Sequence, residues 1–231
     1  MRGWDFSWLT GRADGGGPSW DHERLARARL SRAKPPGHRH RRRRVPRLAC
    51  PAAARLRGHR ELGAQPSPGP ATPLPAGGGG HRASGLDLPS GRFDLILNRH
   101  GLLDAASIRA ALAPGGRLLT RQVGSRNQLE LNEAVGIPSP ADPDGWTLDV
   151  AVRALEGAGL RVTTAREETS PYTFHDIGAV IFQLRAIPWQ FPGFEPSVHE
   201  SALRRLDRHI RSTGGFTAHD HRFLIEARAR G

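Results

Sequence analysis

At 231 residues with 37% apolar side chains, the chain is long enough for one α/β domain with a sizeable core. Its single cysteine, Cys50, excludes an internal disulfide, and no apolar run reaches the roughly 18 residues that would span a bilayer. With no signal-peptide pattern at the start, a cytoplasmic protein without membrane contact is expected; the net charge of +12 raises nucleic acid as a partner.

The opening Trp4-Asp5-Phe6-Ser7-Trp8-Leu9 is dense in aromatics and is expected to pack on the domain; a lid over a pocket is the functional alternative. Gly15-Gly16-Gly17-Pro18 reads as a loop. Ser19 is a candidate N-cap for a helix from Trp20 to Ala33, with Glu23 near a capping-box position and Leu25, Ala28 and Leu30 on one side.

Residues 33–83 differ from the rest. Between Ala33 and Arg82 there are eleven Lys or Arg against one acid, Glu61, so this segment supplies +10 of the +12. It holds nine of the nineteen prolines, the run Arg39-His40-Arg41-Arg42-Arg43-Arg44, and no Ile, Phe, Tyr or Trp. Such a composition cannot bury enough apolar surface to offset its ordering entropy, and a low-complexity segment that is disordered or poorly packed is expected. Arg39 to Arg60 would attract phosphate backbones by counterion release, giving non-specific nucleic-acid binding. No aromatic residues are interleaved for base stacking. His38, His40, His59 and His81 lack the spacing and the acidic or thiol company of a zinc site, so no metal is expected.

Residues 84–231 carry the organised part of the chain. Phe93-Asp94-Leu95-Ile96-Leu97 is a short apolar run that ends in Asn98-Arg99-His100-Gly101. Asp104 can cap a helix to Leu112 that places Ile108, Ala111 and Leu112 inward. Pro114-Gly115-Gly116 then turns the chain into Arg117-Leu118-Leu119. Strand, helix, turn, strand is the βαβ unit of a parallel sheet. The pairing of FDLILN with LAPGGRLL resembles strand four and the turn into strand five of the class I S-adenosylmethionine-dependent methyltransferases, in particular the type 11-like domain. Leu86-Asp87-Leu88-Pro89 resembles that family's lead into strand four.

Further on, Leu148, Val152, Leu155 and Ala158 are spaced for a helix, which Gly159 ends before a strand from Leu160-Arg161-Val162. The chain is continuously apolar from Asp176 to Leu184, and Pro188 ends that stretch. Val198, Ala202, Leu203, Leu206 and Ile210 form an amphipathic helix face, and Arg222 to Ala227 suits a last strand. The expected fold is α/β and Rossmann-like, a mostly parallel sheet with helices on both faces and a degraded or disordered first βα unit.

The resemblance implies methyl transfer from S-adenosyl-L-methionine to an acceptor the sequence does not specify, by in-line attack on the sulfonium methyl. It also implies a glycine-rich turn after the first strand, where any Cβ would obstruct the cofactor, and an acid about twenty residues later for the ribose hydroxyls. Both should fall between Ala33 and Arg82, and neither is there. Read one base out of frame, Pro36 to Arg44 can encode Leu-Asp-Ile-Asp-Thr-Gly-Gly-Gly-Glu, and His59 to Pro66, in the same frame, can encode Thr-Glu-Ser-Trp-Ala-Pro-Asn. An out-of-frame segment replacing the cofactor motif is therefore one account of this region, and an ordinary basic linker is the other.

Asn98, Arg99 and His100 follow strand four, where ligands of open α/β sheets bind. The resemblance puts these residues against the methyl donor; the alternative is a solvent-facing loop. Ser84 and Gly85 align with the family's adenine-contacting Asp-Ala pair, with Ser84 in place of the acid. Gln122, Arg126 and Asn127 are expected as exposed loop residues, His175-Asp176 as pocket-shaping residues, and Trp189 in the core. The functions that follow are methyl transfer impaired by the missing loop, a catalytically inactive protein of the same fold, or a nucleic-acid binder acting through its basic segment.

Overall fold

The computed structural model describes residues 6–15, 17–32, 48–49, 88–91, 93–139 and 141–230. Most of the basic segment, and the expected cofactor contacts Ser84 and Gly85, lie outside these residues. Six strands form one sheet: β1 (Ala13–Gly15), β2 (Leu48–Ala49), β3 (Phe93–Arg99), β4 (Leu112–Val123), β5 (Leu160–Phe174) and β6 (Phe216–Ala229). Their order is β1-β5-β6-β4-β3-β2. The helices are α1 (His22–Arg32), α2 (Ala105–Ala111), α3 (Leu129–Val135), α4 (Leu148–Gly157), α5 (Ile177–Ala186) and α6 (Glu200–Thr213).

The α/β class is as expected, but among the described residues the sheet is mixed. β2, β3 and β4 are parallel. β6 is antiparallel to β4 and to β5, and β1 is antiparallel to β5. The antiparallel part is long because β5 and β6 pair from Leu160↔Ala229 to Phe174↔Phe216. Alternation along β5 and β6 is interrupted by polar residues on exposed positions, which shortens the strands that can be read from sequence.

Adjacent residues of the central strands point to opposite faces, and this alternation separates two of the cores. Leu119 and Leu224 pack with Trp20 and Ala26 under α1. Leu118, Phe223 and Ile225 pack with Ile108, Ala111, Ala151 and Leu155 of α2 and α4. Helices therefore cover both faces, as expected. A third core joins α3, α5 and α6 to Phe174 and Ala218. The N-terminal aromatics pack on it: Phe6 meets Phe182 edge-on, and Trp8 stacks on Phe182 at 5.2 Å while staying 46% exposed.

Local signals mostly hold. Asp104 caps α2, accepting from the Ser107 N–H at 3.1 Å. Pro114-Gly115-Gly116 does not end a loop but forms a bulge within β4. Phe93 faces Leu112 while Leu95 already faces Arg117, so the extra residues loop out of the ladder. Gly115 has φ +72°, and a Cβ on Gly116 would lie 2.8 Å from the carbonyl oxygens of Ala113 and Phe93.

Four expectations are corrected. Ser19 is not the cap of α1. Asp21 accepts from the N–H groups of Glu23 and Arg24, at 2.8 and 3.1 Å, and Ser19 instead binds Glu168 on β5. Trp20 and Val198 precede their helices rather than joining them. Trp189 is 57% exposed, not core, because the chain turns outward after α5. Gln122 and Asn127 are buried, not loop surface: the Gln122 side chain donates to Asn98, Thr120 and the Gly101 carbonyl, and Asn127 accepts from His221 and Arg222 of β6.

Candidate functional site

β3 and β4 end side by side, with Asn98 opposite Thr120 and Arg99 opposite Arg121. Asn98 is fully buried, and its side chain ties down the following loop. Its amide donates to the Leu102 carbonyl at 2.9 Å; its oxygen accepts from the Gly101 N–H at 3.1 Å and from Gln122 at 3.2 Å. Gln122 also donates to Thr120 Oγ1 and to the Gly101 carbonyl. Both ends of the Asn98 amide are thus spent on shaping the loop.

The loop begins at His100 in the left-handed region (φ 55°), with its N–H bonded to the Arg121 carbonyl at 2.8 Å. Its side chain keeps an exposed edge. Surrounding protein, and then the positive charges of Arg121, Arg222 and Arg99, push its pKa well below the ordinary histidine value. A neutral imidazole in that field is a poor cation and a weak base. Arg99 is half-exposed and pairs with Glu23 of α1 at 3.0 Å.

The site is strongly cationic. On the α1 side of the sheet, Arg99, Arg121 and Arg222 fall at the ends of β3 and β4 and on β6 opposite Val123. Arg222, its side chain 13% exposed, is anchored: it donates to Asp220 at 2.9 Å, to the His221 carbonyl at 3.1 Å and to Asn127. Arg121 has no carboxylate of its own among the described residues, and its guanidinium carbon lies 5.7 Å from the Trp20 ring centroid. His22 is buried beside it, and the positive charges of Arg121 and Arg99 add to desolvation in lowering its pKa. No group of three or more metal-ligating side chains occurs among the described residues.

Beyond these ends, buried polar contacts hold β6 to the loop after β4. His221 is 2% exposed; its Nε2 bonds to Glu167 at 2.8 Å, and its Nδ1 accepts the Arg126 N–H at 3.2 Å. Asp176 and Arg12 form a paired, half-exposed contact while Asp176 caps α5. His175 bonds to Asp14 at 3.0 Å. The expected pocket-shaping pair His175-Asp176 therefore ties β1 and α5 together.

Of the expected cofactor contacts, the structure brings Asn98, Arg99 and His100 together at the carboxyl end of β3, with Asn98 turned inward. Trp20, His22 and Arg121 were not among the sequence candidates. One signal for Arg121 was present: Leu97-Asn98-Arg99 and Leu119-Thr120-Arg121 repeat Leu-x-Arg at the ends of two strands that pair in parallel.

No family model matches the chain, and no curated protein matches it. Solved structures do resemble it in chain path. A putative methyltransferase from Bacillus halodurans C-125 is 12% identical, with 63% of this chain and 73% of that one covered and a TM-score of 0.41. The YcgJ protein from Bacillus subtilis is 14% identical over 63% and 68%, with a TM-score of 0.40. A functionally unknown protein from Deinococcus radiodurans R1 is 14% identical over 94% and 90%, with a TM-score of 0.43. At such identities and TM-scores nothing about this chain rests on the likeness, and what places it in the α/β class is its own sheet with helices on both faces.

Proposed function

We propose that the chain is a methyltransferase-fold protein whose S-adenosyl-L-methionine-dependent methyl transfer is impaired. One observation supports the lineage above others: FDLILN and LAPGGRLL lie on adjacent parallel strands joined by α2, with the glycines spent on a bulge only glycine can fill. The acceptor, and cofactor contacts by Asn98, Arg99, His100, Ser84 and Gly85, belong to this proposal.

The described residues do not fit the cofactor well. S-Adenosylmethionine brings a sulfonium and an ammonium against one carboxylate, and it would meet Arg99, Arg121 and Arg222. The nearby acids are engaged: Glu23 with Arg99, Asp220 with Arg222 and Gln128, Asp21 with the α1 backbone. Like charge at close range in a partly desolvated site opposes binding. Beside β3, the parallel partner is the two-residue β2, and the chain after it reads Cys50-Pro51-Ala52-Ala53-Ala54. No glycine follows in the sequence until Gly58, whereas a closely approaching cofactor calls for one directly after the strand.

An out-of-frame origin for residues 33–83 accounts for the missing glycine turn and the missing acid that should follow it. The gene's codons across that span test it: a glycine turn in the shifted frame is expected, and its absence ends the idea. Calorimetric titration tests the impairment. Binding of S-adenosylmethionine no tighter than about 1 mM is expected; a dissociation constant near 1 μM, about 8 kcal/mol of binding energy, overturns it and restores an active enzyme.

A further inference from the structure

Between α1 and the carboxyl end of β3 lies a groove of about 260 Å³. On α1, His22, Ala26 and Leu30 follow one another a helical turn apart and so form one row, with Glu23 and Arg27 in the row beside it. The small Ala26 in the middle of its row leaves a depression against Leu97 of β3. Leu97 and Leu30 are only half-buried, so apolar surface in the groove stays in contact with water. Wet apolar surface in a concave place, rimmed by charge, is surface that a ligand gains by covering.

The rim carries an excess of positive charge. Arg99 donates to one oxygen of Glu23 at 3.0 Å, and Arg27 approaches the other at 4.0 Å. Two guanidiniums therefore share one carboxylate. Both line the groove, and their side chains are 49% and 82% exposed, so an anion arriving from solvent meets them directly. Among the described residues, Arg99 gives Glu23 a single one of its N–H donors and has the rest to offer. His22, in the groove wall, registers the field: burial, then the charges of Arg121 and Arg99, lower its pKa, and Glu23 opposes them only in part.

We propose that this groove binds a medium-chain acyl carboxylate, its head on Arg99 with Arg27 beside it and its chain over Leu97, Ala26 and Leu30. Charge selects a carboxylate over a phosphate. One negative charge balances the single excess positive charge, whereas a phosphate monoester, at about −1.5 to −2 near neutral pH, would set surplus negative charge against Glu23. Size selects a short body, since about 260 Å³ lies below the roughly 300 Å³ at which pockets for drug-sized molecules begin. The groove requires no S-adenosylmethionine, so it stands or falls separately from the methyl-transfer reading; Arg99 is the one residue it shares with the proposed cofactor contacts.

The test is calorimetric titration of octanoate into the full chain, with hexanoate, octyl phosphate and octylamine in parallel arms. Saturable octanoate binding is expected, with hexanoate about ten-fold weaker, because each buried methylene counts about four-fold. Arg99→Met should weaken octanoate about ten-fold, the lower end for a lost charge-assisted hydrogen bond. Glu23→Gln should tighten it about three-fold, because it removes the carboxylate that competes for both guanidiniums. Opposite signs at two paired side chains are not what a purely structural role would give. Arg205→Met, the same charge change on the exposed side of α6, should leave the affinity unchanged. No saturable binding, equal affinity for hexanoate, or an Arg99→Met variant that binds like the parent overturns the groove. Octylamine binding as tightly as octanoate overturns the charge argument, and tighter binding of octyl phosphate overturns the carboxylate. Displacement of octanoate by S-adenosylhomocysteine overturns a separate ligand, since the groove would then be part of the cofactor's site.

Discussion

Gly124→Ala should destabilise the chain by about 3 kcal/mol, the upper end of what overpacking a buried site costs. A Cβ at this position would sit 2.0 Å from Nδ1 and 2.1 Å from Cε1 of His221. The imidazole cannot swing clear, because it is buried and held on both sides. Its Nε2 is bonded to Glu167, its Nδ1 to the Arg126 N–H, and its backbone carbonyl accepts the Gly124 N–H at 3.0 Å. Displacing the ring breaks both side-chain contacts, and Glu167 also accepts from the Leu148 N–H at the start of α4, so the damage reaches that helix. Urea unfolding of the variant measures the loss; a midpoint within about 0.5 kcal/mol of the parent would show that His221 has room to move. The double variant Gly124→Ala, His221→Ala relieves the clash and should recover part of the stability, which a backbone origin would not allow.

Arg29→Met should cost about 3 kcal/mol, the range for stripping one partner from a buried ion pair. Arg29 on α1 grips Glu226 on β6 through two bonds, at 2.9 and 2.7 Å, and the two side chains are only 20% and 13% exposed. The pair spans 197 residues of sequence and fastens α1 across the middle of the sheet. Losing Arg29 leaves the carboxylate of Glu226, only 13% exposed and opposite Leu119, without its two charge-assisted hydrogen bonds. Replacing both by methionine should recover most of the loss, because an apolar pair of similar volume needs no desolvated charges. If the single variant is as stable as the parent, α1 is held by Trp20, Leu25 and Ala26 packing on Leu119 and Leu224 alone. If the double variant is no better than the single, the pair contributes by its geometry rather than by charge compensation.

The parts of the fold legible in sequence are those fixed within a few residues. Asp104 capping α2, the left-handed Gly159 after α4 and the inward face of α6 at Ala202, Leu203, Leu206 and Ile210 all follow from hydrogen bonds and periodicities that span one or two helical turns. The errors share a different cause. Asp21 and Ser19 are equally plausible caps by residue type, and what decides between them is Glu168, which lies 149 residues away and takes both donors of Ser19. Gln122 and Asn127 look like surface residues until Asn98 and its loop close over the one and β6 comes to lie beside β4 and binds the other. That insertion, placing the last strand between two earlier ones, made the sheet mixed.

Residue pattern and composition were enough for the α/β class, the βαβ unit from Phe93 to Val123, the local caps and the uneven charge that sets residues 33–83 apart. What stands at the end of that unit depended on assembly. Asn98 turned inward to brace its loop because Gln122 and Leu102 came within reach, and Arg99 met Arg121 because two Leu-x-Arg endings fell into parallel register. Trp20 and His22 joined them because Arg29 drew α1 onto the sheet through Glu226. Charge neutrality and hydrogen-bond satisfaction are properties of neighbourhoods in space. The clustered arginines at this end of the sheet could therefore be recognised only once strands and helix were assembled around them.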